Sequence, residues 1–210
     1  LQIPASRKGE KVYLYFEGVY NRSEVFINGQ SLGVRPNGYI SFMYDATPFV
    51  KYGEDNQVAV KVDHSQDADS RWYTGSGIYR DVWVVYANPV HIAQWGVFAY
   101  PEVKSAQSAI VHAGVEITNG TTVDVSLTVA NELVAPDGKV VAKSSQKMKL
   151  LAGKNNKIMA QLQVKNPLLW DLDNPALYQL KTKVLQDGKV IDEAVRSEEH
   201  TSELQSPYVI

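Results

Sequence analysis

The sequence predicts an all-β protein made of two consecutive β-sandwiches. Apolar and polar residues alternate along many of its segments, and this period of two is typical of strands. Glycine and asparagine separate these segments at the short spacing expected of hairpin turns. No segment carries apolar residues at the spacing of an amphipathic helix, so we do not expect helices to build the core.

Four strand regions are predicted in the first half of the chain. Residues 12–16 form an apolar run of the kind found in sheet cores, and residues 82–86 form a second run that we predict to be buried. Residues 24–33 contain an Asn-Gly pair at 28–29, the strongest short hairpin signal. In residues 56–62, Val58, Val60 and Val62 recur at every second position and share one face. Short strands joined by such turns indicate a sandwich.

The dipeptide Asn88-Pro89 marks the predicted domain boundary, because proline ends a strand and restricts the residue before it. We therefore expect one domain over residues 1–87 and a second over 88–196. About seven strands in roughly 105 residues is the pattern of an immunoglobulin-like sandwich. Residues 197–210 are polar and acidic, and their apolar residues follow neither the strand period of two nor the helical spacing. We interpret them as a non-native tail or a linker.

Three local patterns in the second half lead to specific predictions. The alternation over residues 123–129 predicts that Val123, Val125, Leu127 and Val129 point inward. Residues 136–138 and 186–188 each contain Asp-Gly between strand-like runs and are predicted to be hairpin turns. Residues 166–170, NPLLW, are predicted to bury Leu168 and Trp170 at the domain edge, because the flanking prolines fix the backbone.

Composition excludes several classes of function. The 210 residues carry a formal net charge of −2 with a pI near 6.1, which gives no reason to expect nucleic acid or a membrane surface as partner. The chain has no cysteine, which rules out disulfides and thiolate metal sites. Its four histidines are scattered and lack the grouping of a zinc site. We expect no metal and no cofactor.

The most informative segment is 71–84, RWYTGSGIYRDVWV, which places aromatic residues and arginines around Gly-Ser-Gly at 75–77. Flat aromatic faces beside fixed charges suit a sugar ring, which offers an apolar face and a rim of hydroxyls. The alternative is a glycine-kinked corner whose aromatic residues fill the core. After this corner, Arg80 is expected to fix the loop, with its stem packed against Trp83.

This segment resembles the signature loop in the sugar-binding domain of glycoside hydrolase family 2, the β-galactosidase and β-glucuronidase family. Four further regions resemble that family in the same order along the chain: 16–20 (FEGVY), 25–33 (VFINGQSLG), 38–42 (GYISF) and Asp45 with 53–56 (GEDN), and 166–178 (NPLLWDLDNPALY). Together the resemblance covers about residues 10 to 195. It implies a galactose-binding-like jelly roll, incomplete at its N-terminus, followed by an immunoglobulin-like domain. The family's catalytic (β/α)8 barrel, with its two glutamates, has no counterpart in these residues.

The resemblance also implies roles for the loop residues. In the family this loop reaches the mouth of the barrel, where an acidic residue before the Ser-Gly-Ile motif touches sugar hydroxyls. At the position where the family has this acidic residue, counted back from the motif at Ser76, this sequence has Arg71. A carboxylate can therefore match that position only if the loop has shifted. We take Asp69 as the first candidate acceptor and Asp67 as the second, with Arg71 as a donor. An ion pair between Arg71 and Asp69 is the alternative.

The two aromatic residues that follow complete the predicted substrate-binding set. Trp72 is expected to stack on an apolar sugar face beside Tyr73. A catalytic pair formed by Asp67 and Asp69 is disfavoured, because nothing in the sequence places a sugar between them. We expect no catalytic residue in this chain.

The functional hypothesis is therefore the non-catalytic N-terminal part of a family 2 glycoside hydrolase of the β-galactosidase type. The resemblance implies a β-galactoside-like substrate for the whole enzyme, a barrel domain as partner, and an oligomer as a further option. It favours a periplasmic or secreted bacterial protein whose signal peptide lies outside the chain. The alternative is a stand-alone carbohydrate-binding or structural module without enzymatic activity.

Overall fold

A computed structural model describes residues 1–65 and 75–197. Among these residues there is one 3-10 helix, Ala5–Arg7, and every other regular element is a strand, which confirms the all-β prediction. None of the helical structure in these ranges is long and apolar enough to cross a membrane. The chain divides into two compact units, Leu1–Asn88 and Pro89–Ile210.

The described part of the first unit contains eight strands in three sheets. These are β1 Lys11–Phe16, β2 Val19–Tyr20, β3 Ser23–Ile27, β4 Gln30–Arg35, β5 Phe42–Asp45, β6 Val58–Lys61, β7 Gly77–Ile78 and β8 Val82–Ala87. The strand orders are β5-β1-β8, β4-β3-β6 and β2-β7, and all of the strand pairs are antiparallel.

Alternation along β1 creates the core of this unit. Its even-numbered residues are buried and include Leu14 and Phe16, and the Phe16 ring stacks on Phe42 at 5.1 Å between centroids. The predicted hairpin at 28–29 is confirmed, because Asn28 and Gly29 both adopt positive φ between β3 and β4. A turn with two positive φ angles matches the twist of the strands it joins.

The prediction that residues 82–86 form a buried strand is wrong. Strand β8 forms, but Val82 is exposed and the side chain of Trp83 is 52% exposed. In its sheet β8 lies at the edge and pairs only with β1, so fewer neighbours cover its side chains. The indole N–H of Trp83 donates to Glu17 Oε1 at 3.0 Å.

The described part of the second unit contains seven strands in two sheets, ordered β13-β10-β9 and β12-β11-β14-β15. Their bounds are β9 Val90–Ser105, β10 Ser108–Asn119, β11 Val125–Val134, β12 Val140–Leu150, β13 Asn155–Lys165, β14 Gln179–Gln186 and β15 Lys189–Ser197. The predicted number of about seven strands is confirmed. An arrangement of three strands facing four is that of an immunoglobulin-like sandwich.

Both sheets of this unit contribute to one apolar core, to which Ile117, Leu127 and Leu162 belong. The core also contains a polar pair, in which the Thr182 hydroxyl donates to Asn131 Oδ1 at 2.7 Å, so neither buried group lacks a partner. The two predicted turns at 136–138 and 186–188 are confirmed by their positions between β11 and β12 and between β14 and β15.

Two burial predictions in this unit are wrong. Val123 is 61% exposed, because β11 begins only at Val125 and Val123 precedes the alternating part of the strand. Leu168 is also exposed, and Trp170 is only partly buried. These two residues follow the end of β13 and lie in an open groove rather than in the closed core.

Candidate functional site

Every residue predicted from the sequence to bind substrate lies outside the described residues. Asp67, Asp69, Arg71, Trp72 and Tyr73 all belong to segment 66–74, so their roles stay predictions. The structure does describe the residues on both sides of this segment, which form its framework.

The short sheet formed by β2 and β7 pairs the residues that follow this segment with a strand near the N-terminus of the domain. Tyr20 pairs with Gly77, and Val19 pairs with Ile78. Gly77 has a φ of 115°, a value that strongly favours glycine over residues with a Cβ. The Gly-Ser-Gly sequence therefore allows the chain to enter β7 directly beside Tyr20.

The Tyr20 ring is the centre of a group that we call the Tyr20 cluster, consisting of Tyr20, Tyr39, His64 and Ser76. Its ring centroid lies 4.9 Å from that of His64, edge-on, and 5.4 Å from that of Tyr39, also edge-on. Edge-to-face contacts of this kind are favourable because the positive ring edge meets the negative ring face. They fix the Tyr20 side chain between two other rings.

A hydrogen bond links the two sides of the segment within this cluster. The Nδ1 atom of His64 lies 2.8 Å from the Ser76 hydroxyl oxygen, and 12 positions separate these residues in the sequence. On the upstream side, the Asp63 amide donates to the Asn21 carbonyl at 3.3 Å. Hydrogen bonds from the Ser65 hydroxyl and amide lower the pKa of the Asp63 carboxyl, which favours its anionic form.

Glycine at two positions allows the aromatic rings to lie this close to the backbone. A Cβ atom at Gly38 would lie 2.4 Å from Cδ2 of Tyr20, and one at Gly18 would lie 2.6 Å from Cζ of Tyr79. The Tyr79 hydroxyl donates to the Gly38 carbonyl at 2.8 Å. The two tyrosines are thus held against the loop that contains Gly38.

Several apolar faces in this region remain accessible. Tyr39 is 63% exposed, and Tyr79 and Ile78 are about half exposed. The Arg80 guanidinium lies over the Tyr79 ring at 5.4 Å. The packing of the Arg80 stem against Trp83 stays a prediction. Exposed rings next to a cation and hydroxyl groups could bind a polar ligand with an apolar face.

Sequence reasoning did not find Tyr20, Tyr39 or His64. Each lies in a separate segment, and no spacing rule connects them, because only the tertiary fold brings them together. The one available signal was that residues 38–42 fall within the region that resembles the family's turn.

Among the described residues, no group of three or more acidic, histidine or cysteine side chains is arranged to hold a metal ion.

Comparison with known proteins accounts for both units. Residues 1–89 match the sugar-binding domain of the glycosyl hydrolases family 2, and residues 90–198 match a second domain described by the name of the same family. The chain belongs to glycosyl hydrolase family 2. This confirms the resemblance carried by the signature loop, and with it the order of a sugar-binding domain before an immunoglobulin-like one.

The family 2 relatives are much longer than this chain. The chain is 42% identical to the β-galactosidase BoGH2A of Bacteroides ovatus, and the aligned region covers 88% of this chain and 22% of that relative. It is 32% identical to a β-glucuronidase of Formosa agariphila, with 91% of the chain and 22% of the relative covered. The chain thus spans about a fifth of the length of these curated relatives and corresponds to their non-catalytic N-terminal part.

Solved structures give the same result. A family 2 member from Bacteroides cellulosilyticus superposes with a TM-score of 0.88 at 34% identity, covering 94% of this chain and 27% of that one. A β-glycosidase from Bacteroides vulgatus has a TM-score of 0.81 at 40% identity, covering 94% and 24%. The sandwich fold is therefore shared with experimentally determined family members.

Proposed function

We propose that this chain supplies the sugar-recognition part of a longer, retaining family 2 β-glycosidase of the β-galactosidase type. The match of residues 1–89 to the family's sugar-binding domain supports this proposal, as do relatives named β-galactosidase and β-glucuronidase. In the whole enzyme the substrate would be a terminal β-galactoside or a closely related sugar. Its partner within the enzyme would be the barrel domain.

The observation that carries the proposal is the Tyr20 cluster at the base of segment 66–74. Its hydrogen bond between His64 and Ser76 joins the two sides of a segment that contains two carboxylates, an arginine and two aromatic residues. These residue types serve the two halves of sugar recognition. Carboxylates and arginine pair with hydroxyls, and aromatic rings cover the apolar face.

Within this proposal the loop residues have separate tasks. Asp69, or Asp67 in its place, would accept hydrogen bonds from sugar hydroxyls, and Arg71 would donate to a sugar oxygen. Trp72 would stack on the sugar ring, with Tyr73 beside it. The bond-breaking step would belong to the barrel, where retention requires two carboxyl groups about 5 Å apart.

The test uses the complete 210-residue chain and methyl β-D-galactopyranoside, with binding followed by ligand-observed NMR. We expect weak binding that Trp72→Ala and Asp69→Asn abolish, and no hydrolysis of aryl β-galactosides. Trp83→Phe and Asp187→Asn, which change the same residue types outside the segment, are the matched controls and should bind as the unmodified chain does. Absence of binding, or equal loss in the controls, would contradict the recognition role.

A stand-alone carbohydrate-binding module is the second candidate, and the exposed rings of Tyr39 and Tyr79 favour it. It predicts tight, saturable binding by the chain alone, whereas a part of a shared active site should bind weakly. Sustained hydrolysis by the chain, lost on Asp69→Asn, would contradict both candidates.

A further inference from the structure

The chain contains three Asn-Gly pairs, at residues 28–29, 37–38 and 119–120. In such a pair the glycine nitrogen can attack Cγ of the asparagine side chain, because glycine has no Cβ to obstruct the approach. The nitrogen loses its proton to water, the bond from Cγ to Nδ2 breaks, and the amine gains a proton from water and leaves as ammonia. Water then opens the resulting cyclic imide to aspartate or isoaspartate. The sequence does not distinguish the three pairs, but the structure does.

The pair at 28–29 is protected by the hydrogen bonds of the Asn28 side chain. Its Nδ2 donates to the Phe49 carbonyl and to Asn56 Oδ1, each at 2.8 Å. Its Oδ1 accepts from the Gln57 amide at 3.0 Å. Loss of the side-chain amine as ammonia would break both of the Nδ2 bonds. We therefore expect Asn28 to react slowly, because the broken bonds add to the barrier.

The pair at 119–120 is protected by burial as well as by hydrogen bonds. Asn119 is fully buried, and its Nδ2 donates to the carbonyls of Val123, Leu150 and Leu151 at 2.8, 3.3 and 3.2 Å. A buried side chain has little access to the water that must take up the proton, protonate the amine and open the imide. Asn119 should therefore react most slowly of the three.

The side chain of Asn37 is exposed in the connection between β4 and β5, and its contacts differ from those of the other two. Its Oδ1 accepts from the backbone amides of Tyr39 and Ile40 at 2.8 and 3.3 Å. Two such donors stabilise the negative charge that develops on this oxygen when a nitrogen attacks Cγ. Over residues 1–65 and 75–197, Asn37 Nδ2 donates to no acceptor, so no hydrogen bond to these residues opposes its loss as ammonia.

We propose that Asn37 is a site of spontaneous deamidation, at which aspartate or isoaspartate forms with water as the only co-reactant. Isoaspartate inserts a methylene group into the main chain directly before Gly38, where space is limited. A Cβ at Gly38 would lie 2.4 Å from Cδ2 of Tyr20, and the Gly38 carbonyl accepts from the Tyr79 hydroxyl at 2.8 Å. The longer main chain must therefore displace Gly38 or the Tyr20 ring. The inference does not depend on the sugar-binding role, because the reaction needs only this pair and water.

The test is peptide mapping by mass spectrometry of the 210-residue chain during incubation in a mildly alkaline buffer, which favours loss of the glycine amide proton. We expect Asn37 to deamidate about tenfold or more faster than Asn28, because two hydrogen bonds hold the Asn28 amine. In urea the rates at Asn28, Asn37 and Asn119 should converge, because the folded structure that separates them is lost. Equal rates in the folded chain, or a difference of the same size in urea, would overturn the proposal.

A second measurement tests the effect on the Tyr20 cluster. Chromatography separates the isoaspartate form of the incubated chain, and Asn37→Asp supplies the new carboxylate without the added methylene group. We expect the isoaspartate form to unfold at a lower urea concentration than Asn37→Asp, because only the former lengthens the main chain beside Tyr20. Asn37→Ser lacks the amide and should show no mass change at this position. Equal stability of the isoaspartate form and Asn37→Asp would refute the effect on the Tyr20 ring.

Discussion

The imidazole Nδ1 of His64 lies 2.8 Å from the hydroxyl oxygen of Ser76, and this contact joins the two sides of segment 66–74. All five residues predicted to contact sugar lie between these two positions in the sequence. Since the His64 ring also packs edge-on against Tyr20, the hydrogen bond connects the segment to the β2–β7 sheet. The framework of the proposed recognition loop therefore depends on residues that do not themselves need to touch the sugar.

Removing the Ser76 hydroxyl should weaken sugar binding without removing a ring from the cluster. Ser76→Ala loses one hydrogen bond, which corresponds to about 1 kcal/mol or an affinity reduced a few fold. Titration with methyl β-D-galactopyranoside measures the change, and Ser76→Thr should recover most of the affinity because it restores a hydroxyl. Ser145→Ala, at an exposed position in β12, is the control. Equal affinity for Ser76→Ala and the control would show that this bond does not support the loop.

Replacing Gly38 should destabilise the first unit through the Tyr20 ring. The added Cβ of Gly38→Ala would lie 2.4 Å from Cδ2 of Tyr20, so the ring must move away from its neighbours. Such overpacking costs about 1–3 kcal/mol, measured as the free energy of unfolding in urea. Gly75→Ala is the matched control, because a Cβ at Gly75 meets no atom of the described residues within 4 Å. If both variants unfold at the same urea concentration, the Tyr20 ring is not tightly held.

The pH dependence of stability should reveal the environment of Tyr13. Burial, and secondarily the charge of Asp45, raises the pKa of Tyr13 to about 12, whereas an unfolded tyrosine ionises near pH 10. Between these values the unfolded chain releases a proton that the folded chain retains, so the free energy of unfolding falls as the pH rises. The contribution is fully present below about pH 10 and is lost as the pH approaches about 12.

Urea unfolding of the unmodified chain and of Tyr13→Phe, at about pH 8 and about pH 11, measures this effect. The unmodified chain should lose more stability between the two conditions than the variant, because only the variant lacks the titrating phenol. Tyr44 and Tyr52, whose pKa values burial also raises, are present in both proteins and cancel in the comparison. Parallel losses in the two proteins would show that Tyr13 ionises as readily in the folded state as in the unfolded one.

Sequence patterns predicted the parts of the fold that depend on local rules. The hairpin at 28–29 follows from the ability of asparagine and glycine to adopt positive φ, and the core face of β1 follows from alternation. Burial was mispredicted at Trp83 and Leu168, because alternation and apolar character do not show whether another element covers a side chain. Trp83 lies on an edge strand, and Leu168 lies at the rim of an open groove.

The same division applies to the candidate site. The sequence by itself determined the all-β class, the turns and the family-like loop, since each depends on residues close together along the chain. Only the tertiary structure decided that the rings of Tyr39 and His64 pack against Tyr20 and that Ser76 bonds to His64. It likewise decided that Leu168 lies at the rim of an open groove. Contacts between distant residues depend on how strands pair and sheets pack, and no local pattern specifies that arrangement.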